Sequence, residues 1–195
     1  MVDSEQERTE GLRLARIAAR LDREDSVEFL GAGFAMVIFG EVLDGDAFLD
    51  QSLKVNPNLA GAWHISGVTK ACIGTPGLAV EHAEHAMRLS PHDPQYFVML
   101  SSAALGHYHL ENYEKALALA EAALRDRPNF LLAACVFAAS AGKLDINLKI
   151  ETAIIRLIDT EPGMRVSNVG KWLAFLQPED AKRWSDGLRA AGLPN

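Results

Sequence analysis

The sequence predicts an all-α fold, a right-handed solenoid of about four stacked helix pairs with a further helix covering its C-terminal end. Prolines recur at nearly constant spacing, since the intervals between Pro57, Pro91, Pro128 and Pro162 are 34, 37 and 34 residues. A period of this length with a proline closing each unit is typical of helix–turn–helix repeats. No segment alternates apolar and polar residues as a β-strand does. Each pair would expose an apolar face that only its neighbours cover, so we expect the pairs to stack.

The second and third units carry the pattern of a tetratricopeptide repeat most clearly. The large, small, turn and stop positions of the second unit hold Trp63, Gly67, Gly74, Ala79, Ala86 and Pro91. The same positions of the third hold Leu100, Ala104, Tyr113, Ala116, Ala120, Ala123 and Pro128. The first unit matches at Phe29, Gly33, Ser52 and Pro57, and the fourth only at Ala138 and Pro162. Two strong units in phase with two weaker ones predict a tetratricopeptide array.

The same positions predict how the chain is divided. Residues 1–10 form a polar extension, and residues 11–195 form one repeat domain. Within that domain we predict a half-repeat, four repeats and a cap, at 11–24, about 26–57, 58–91, 93–128, 129–162, and 163–195. The half-repeat has one apolar side, made of Leu12, Leu14, Ala15, Ala18 and Leu21. The cap begins a helix at Pro178 whose apolar stripe is Ala181, Trp184, Leu188 and Ala191.

Composition argues against several classes of function. The net charge is −7 and there is no basic stripe, which disfavours nucleic-acid binding. The acidic N-terminus is unlike a signal peptide, and the apolar run Phe29–Gly40 has only 12 residues, too few to cross a bilayer. Cys72 and Cys135 lack metal-ligand spacing and are expected to be buried thiols in a reducing compartment. We therefore expect a cytoplasmic location.

No motif in the chain predicts catalysis, a cofactor or a metal. Gly31 and Gly33 suggest part of a dinucleotide fingerprint, but its third glycine is absent because position 36 is Met, so close helix packing is the better interpretation. His82 and His85 are helical neighbours that could hold a metal, yet Ala79, Ala83 and Ala86 are the packed positions. We therefore expect both histidines on a solvated face. The chain is predicted not to be an enzyme.

The first helix of each unit is expected to line a concave groove, and this groove is the predicted binding site. In such arrays it holds a protein or peptide, and here the partner could be an upstream domain of the same protein or a second copy of this chain. The groove has almost none of the basic residues of a carboxylate clamp, so apolar recognition is predicted. The alternative is a groove filled by its own side chains or by the C-terminal helix. The predicted groove residues are Val27, Leu30, Phe34, Val37, Ile38, His64, Val68, Leu105, Tyr108 and His109.

Several longer motifs carry a resemblance to a known group of proteins. The chain resembles the C-terminal repeat region of bacterial class III adenylate/guanylate cyclases, and similar regions end winged-helix regulators with a TolB-like segment. The motifs are Asn56-Pro57-Asn58-Leu59-Ala60, Ala62-Trp63, Ser66-Gly67, Ala79-Val80-Glu81-His82, Ala86-Met87-Arg88-Leu89-Ser90-Pro91, Asp93-Pro94, Arg127-Pro128-Asn129-Phe130, Ala138-Ala139-Ser140, Arg165-Val166-Ser167-Asn168, Pro178-Glu179-Asp180 and Gly187-Leu188-Arg189-Ala190-Ala191-Gly192-Leu193-Pro194.

This resemblance implies a signalling role without catalysis in the chain itself. In those relatives the chemistry or the DNA contact lies in an upstream domain, so no catalytic residue can be transferred to this sequence. We expect a bacterial regulatory module that binds another polypeptide. Two alternatives stay open: part of a class III nucleotide cyclase whose catalytic domain lies upstream, and a sensor whose groove binds a small apolar ligand.

Overall fold

The computed structural model describes residues 5–21, 25–172 and 178–195, and this part of the chain is helical without any strand. The all-α prediction is therefore confirmed. Residues 1–4 of the predicted extension, 22–24 of the half-repeat and 173–177 of the cap lie outside the described residues. So do the side chains of Ala18, Leu21 and Ala181, which were assigned to apolar stripes.

The helices follow one another as antiparallel pairs. The first helix, α1 (Glu5–Leu21), begins within the stretch that was expected to be a polar extension. Four pairs follow and lie within the predicted repeat ranges: α2 (Ser26–Ile38) with α3 (Val42–Val55), α4 (Ala60–Cys72) with α5 (Pro76–Leu89), α6 (Tyr96–His109) with α7 (Tyr113–Asp126), and α8 (Leu131–Leu144) with α9 (Asn147–Thr160). A 3₁₀ turn (Val166–Asn168), α10 (Val169–Trp172) and α11 (Pro178–Ala190) complete the described chain.

The turn inside each pair is tight because one residue adopts the left-handed conformation just after the first helix. Gly40 and Gly74 do so with φ of 89° and 80°, and Glu111 and Asp145 with φ of 61° and 52°. The next amide then donates back to the helix end, as Glu41 does to the Met36 carbonyl at 2.9 Å. This hydrogen bond closes the helix and reverses the chain within a few residues.

The longer proline interval has a local cause. The connection between α5 and α6 has six residues (90–95), whereas the connections before α4 and α8 have four each (56–59 and 127–130). Asp93 folds the longer connection by accepting a hydrogen bond from the Gln95 amide at 2.8 Å. The two extra residues of this connection, together with one extra residue in α6 relative to α4, account for the three-residue longer interval.

Small residues set the distance between paired helices. A Cβ built on Gly33 would lie 2.9 Å from the Gly45 carbonyl oxygen, and one built on Gly45 would lie 2.8 Å from the Gly33 oxygen. The backbones of α2 and α3 therefore touch where they cross, which confirms the packing interpretation of Gly33. It does not hold for Gly31, whose Cβ position has no neighbour within 4 Å.

The first helices of the four pairs line one face of the solenoid, called the concave face below. Contacts join α2 to α4, α4 to α6, and α6 to α8 along this face. At one end, α1 packs on α2 through buried Leu12 and Ala15, which join Phe29, Ala32 and Met36 in a small core. At the other end, α11 packs on α8. The larger core runs between these helices, from Ala71 in α4 to Leu193.

Candidate functional site

The N-terminal part of the concave face is apolar and open. Three large side chains of α2 are well exposed, with exposed fractions of 60% for Val27, 45% for Phe34 and 60% for Ile38. Their spacing of seven and four residues places them in one stripe along the helix. Exposed Gly31 lies in the same stripe. Contiguous exposed apolar surface of this kind makes the stripe a candidate interaction site.

The stripe continues toward α4. Leu30 reaches the neighbouring helix, where a Cβ built on Gly61 would lie 3.2 Å from its Cδ2 atom. Leu30 and Val68 are half-buried and border the exposed stripe on that side, whereas Val37, also predicted as a groove residue, packs against α3, with its Cγ2 atom 2.7 Å from the Cβ position of Gly45. The open half of the concave face is defined here as Val27, Leu30, Phe34, Ile38 and Val68, and none of these residues carries a charge.

His64 was predicted to line the groove, but its side chain is buried. Only 4% of it is exposed, so it is not part of the open half. Burial lowers the pKa of His64, an effect partly opposed by the charge of Asp93. Its Nε2 atom has no hydrogen-bond partner within the described ranges. The prediction failed because a helical period gives the direction of a side chain, while burial depends on what packs over it.

The C-terminal part of the concave face is filled by α11. Leu105, Tyr108 and His109, also predicted as groove residues, are exposed by only 1%, 0% and 7%. They are not accessible to a partner in this conformation, so the expectation of an open groove is corrected here. Of the two alternatives, a groove filled by the C-terminal helix describes this half. The filled half is defined below as the surface of α6 and α8 that α11 covers.

Trp184 is the centre of the contact between α11 and the filled half. Its side chain is fully buried, and its ring lies against that of Tyr108 with centroids 4.6 Å apart. The indole nitrogen donates to Nε2 of His109 at 3.1 Å. Leu188, one helical turn further on, is also fully buried. Apolar burial and one specific hydrogen bond thus hold α11 in place.

Polar contacts surround this aromatic centre at the end of α6. The Tyr108 hydroxyl donates to the Arg183 carbonyl at 3.0 Å. The Arg183 guanidinium donates to the His109 carbonyl at 3.0 Å and lies 3.9 Å from a carboxylate oxygen of Glu111. A cation beside the last carbonyls of a helix is stabilised by the helix dipole. The end of α6 therefore binds the basic side chain that precedes the tryptophan.

His109 is neutral in this arrangement. Because an indole can only donate, Nε2 must accept, and the ring proton lies on Nδ1. Nδ1 faces the Asp180 carboxylate at 3.7 Å. Burial lowers the pKa of His109, the negative charge of Asp180 opposes this effect, and the charge of Arg183 adds to it.

The two cysteines lie in the core, as predicted. Both side chains are buried, and desolvation raises the pKa of Cys72 and of Cys135 to about 12. The Cys135 thiol lies 3.9 Å from the Met164 sulfur, under the segment that leads to α11. Thiols with pKa values this high are not nucleophiles at neutral pH.

His82 does not lie on a solvated face, contrary to the prediction. It is buried between the paired helices, where its Nδ1 is 2.9 Å from the Ser66 hydroxyl. Its ring packs edge-on against that of Trp63, with centroids 4.7 Å apart. The His85 ring packs against the same indole, with centroids 4.3 Å apart. Trp63 at the large position of the repeat therefore organises both histidines. Among the residues that the structure describes, no group of three or more metal-ligating side chains is brought together.

Lys70 is a structural residue that the sequence analysis missed. Its ammonium group, with 8% of the side chain exposed, lies 2.8 Å from Asp46 and 3.2 Å from Asp50 and joins α4 to α3. Burial lowers the pKa of Lys70, but the hydrogen bonds and charges of the two carboxylates outweigh burial and leave it raised. Asp46 and Asp50 are 24 and 20 residues from Lys70 in sequence. Only the alignment of α3 with α4 could have indicated these ion pairs.

One shallow cavity of about 400 Å³ lies at the start of α6 and away from the open half. It is lined by Phe97, Arg127, Pro128, Asn129 and Phe130. The Arg127 guanidinium lies over the Phe97 ring at 5.1 Å from its centroid. The cavity is broad and partly polar, which is unlike the enclosed apolar site that a small apolar ligand needs.

Comparison with known proteins supports the fold. Neither a protein-family model nor a curated protein matches the chain. Among solved structures, MamA residues 41 to the end from Desulfovibrio magneticus RS-1 is 20% identical, with a TM-score of 0.64 over 79% of this chain and 84% of that one. A second MamA crystal structure is 17% identical, with a TM-score of 0.66 over 83% and 96%.

A third similar structure is YrrB, described as a TPR protein with an unusual peptide-binding site. It is 17% identical, with a TM-score of 0.62 over 91% of this chain and 90% of YrrB. Within the described ranges, no helix of this chain combines the length and apolar character needed to cross a membrane. The fold of the chain is thus a tetratricopeptide-type α-solenoid.

Proposed function

We propose that this chain is a non-catalytic protein-interaction module whose open half binds an amphipathic helix of a partner protein. The observation that carries the proposal is the exposed stripe of Val27, Phe34 and Ile38 on α2. An amphipathic helix presents apolar side chains every three or four residues and matches such a stripe. The description of YrrB as peptide-binding supports the same class of partner.

The filled half shows that this face accepts a helix. Here α11 lies on α8 and inserts one aromatic and one aliphatic side chain, Trp184 and Leu188. The open half offers a similar apolar surface without a covering element among the described residues. Large apolar anchors that become fully desolvated dominate the energy of interfaces, so Phe34 is expected to be the main contact.

The proposal can be tested with a library of helical peptides displayed on phage and selected against the purified chain. We expect selected peptides with apolar residues at helical spacing, whose affinity falls at least about ten-fold on Phe34→Glu because a buried carboxylate replaces the central anchor. Leu148→Glu is the matched control, since Leu148 is 78% exposed but lies on α9. Failure to select any peptide, or equal losses for both variants, would refute the proposal.

A second copy of the chain is a specific candidate partner, because the most common assembly is a homodimer. Light scattering over a range of concentrations tests it. Self-association through the open half predicts a mass that rises with concentration and a monomer for Phe34→Glu. A wild-type mass that stays monomeric throughout would leave only a different protein as the partner.

We further propose that the chain is related to the C-terminal repeat region of class III cyclases or of winged-helix regulators. The support is the set of motifs in the sequence, ending in Gly187-Leu188-Arg189-Ala190-Ala191-Gly192-Leu193-Pro194. Because the described residues form no strand that could present paired metal-binding carboxylates, we expect the chain to make no cyclic nucleotide from ATP or GTP with magnesium or manganese. Turnover that is lost on mutating one acidic pair would contradict the non-catalytic assignment.

A further inference from the structure

The filled half of the concave face has the properties of a second helix-docking site with its own recognition pattern. Its centre is Tyr108, which contacts the Trp184 ring and donates to the Arg183 carbonyl. Beside it, His109 accepts from the indole through its ring and from the guanidinium through its carbonyl. The Tyr108 hydrogen bond goes to a backbone carbonyl, but the other contacts use the indole of Trp184 and the guanidinium of Arg183, so this half favours a helix that carries both side chains.

Close approach adds a steric requirement. A Cβ built on Gly187 would lie 2.5 Å from the Tyr108 hydroxyl and 3.0 Å from the Ala139 carbonyl oxygen. A Cβ on Gly142 of α8 would likewise collide with the Gly187 carbonyl oxygen. A helix seated here needs a small residue three positions after its tryptophan and, as Leu188 shows, an aliphatic residue in the next position.

The resident helix is held by few elements. Most of its contacts are with α8, and the remainder are with α10, the 3₁₀ segment and the end of α6. Apart from the stripe of Trp184, Leu188 and Ala191, its described residues are largely charged or polar. Release of α11 exposes the buried Trp184 and Leu188 and uncovers Tyr108 and the α8 backbone at Ala139, so the vacated surface is one that another helix must cover.

We propose that the filled half is a second helix-docking site, occupied in the resting chain by α11, and that an external helix with the α11 pattern takes its place. The pattern is Arg–Trp followed by glycine and leucine three and four residues after the tryptophan. This inference rests on the proposed function only for the class of partner, which is a helix. The surface that binds it, the filled half, is different from the open half. A partner helix that contacts both halves must displace α11. The α11 contact therefore lowers the affinity of the concave face for such a partner.

The test is a binding titration with a fluorescent synthetic peptide of residues 178–195. In the wild-type chain the tethered α11 is present at an effective concentration of about millimolar and excludes a micromolar peptide. Trp184→Ala removes the anchor of the tethered helix, so this full-length variant is expected to bind the peptide at least about ten-fold more tightly than wild type does. The control peptide carries the same Trp184→Ala change and is expected to bind neither protein.

Circular dichroism checks that Trp184→Ala is folded. A second variant tests the same prediction without removing the indole. Arg183→Glu keeps the indole but removes the donor to the His109 carbonyl and reverses the charge facing Glu111. It is expected to bind the peptide more tightly than wild type as well. Equal binding of the peptide to wild type and to both folded variants would overturn the proposal. Dimers formed on mixing wild type with Trp184→Ala would support it and identify the C-terminal helix of a second copy as a guest.

The two proposals fail independently. Phe34→Glu, introduced together with Trp184→Ala, should leave binding of this peptide unchanged, because Phe34 belongs to the open half. Loss of binding in the double variant would mean that the peptide occupies the open half, which would overturn the second site and not the first.

Discussion

At the scale of single residues, one glycine decides whether α11 can sit on the concave face. Gly187 is buried against Tyr108 and against the α8 backbone at Ala139. Gly31 is also helical, yet it is exposed and its Cβ position is empty. The same substitution is therefore expected to have opposite effects at the two positions.

We predict that Gly187→Ala lowers the free energy of unfolding by about 1–3 kcal/mol, the usual cost of overpacking. Gly31→Ala is expected to raise it by about 0.5–1 kcal/mol, because alanine loses less backbone entropy in a helix and meets no neighbour here. Urea denaturation of both variants and of wild type measures the difference. Equal stability of the two variants would mean that α11 does not pack on Tyr108.

At the scale of elements, the junction between the first two pairs depends on one buried cation. Lys70 of α4 connects to Asp46 and Asp50 of α3. Apolar contacts could hold these helices at several registers, whereas the poorly exposed ammonium is stable only where both carboxylates lie within its reach. The ion pairs therefore align the open half, which spans α2 and α4.

We predict that Lys70→Met destabilises the chain by about 2–3 kcal/mol, because it leaves the poorly exposed Asp46 carboxylate without its cation. The cost falls below that of a fully buried pair since 46% of the Asp50 side chain is exposed and hydrated. Lys54→Met on α3 is the control, because Lys54 is exposed, and it should change stability by less than about 0.5 kcal/mol. Both values come from urea denaturation, and equal effects would show that the ion pairs contribute nothing.

The elements themselves were largely predictable from the sequence. The proline period, together with small residues at Gly33 and Gly67, locates helix pairs because packing between neighbours imposes the same constraint in every unit. The start of α1 at Glu5 was missed, since a polar helix turn has no apolar period to reveal it. The position of α11 on the concave face was also not predictable in detail, because its contacts with Tyr108 and His109 join residues 75 positions apart in sequence.

The site was predictable in part for the same reason. The repeat period predicts which helices, and which side of each helix, line the concave face, and the predicted residues Val27, Phe34 and Ile38 are exposed. It could not show that His64, Tyr108 and His109 are covered, because burial depends on distant segments. Lys70 and His82 illustrate the same limit for buried polar groups, whose partners lie on other helices.

At the scale of the whole molecule, four buried histidines make stability depend on pH. The pKa values of His64, His82, His107 and His109 are all lowered, and burial is the largest cause for each. In the unfolded chain these groups return to an ordinary pKa of about 6.5 and bind protons more readily than in the folded chain. Stability is then greatest above that value and is lost as the pH falls through the lowered values.

We predict that the free energy of unfolding is smaller at pH 5.5 than at pH 7.5, a window above the titration of ordinary carboxylates. His109→Gln should reduce the slope, because glutamine can accept from Trp184 without becoming charged. Urea denaturation at the two pH values gives both quantities. A stability that stays constant or increases toward pH 5.5 would show that these histidines titrate alike in the folded and unfolded chain.

The N-terminal end of the solenoid is a second property of the whole molecule. Leu12 and Ala15 of α1 are buried on α2, but Leu14 and Ile17 are exposed by 51% and 39%. Solenoid ends with exposed apolar surface favour association. Leu21 was predicted to share this surface, and its side chain lies outside the described residues.

We predict that Leu14→Lys raises the concentration at which the chain precipitates and leaves its stability within about 0.5 kcal/mol of wild type. Leu12→Lys is the contrasting variant, since it places a charge in the small core and should destabilise the chain. Precipitation with polyethylene glycol and urea denaturation measure the two effects. No gain in solubility would indicate that this end is not the surface through which the chain associates.

The central claim is that the concave face is divided, with an open half for a partner helix and a half filled by α11. Hydrogen–deuterium exchange with and without a selected helical peptide tests the division most directly. We predict slower exchange on binding in α2 and α4, residues 26–38 and 60–72, with no change in α9. Protection confined to α9 or to other second helices of the pairs, with α2 and α4 unchanged, would contradict the claim.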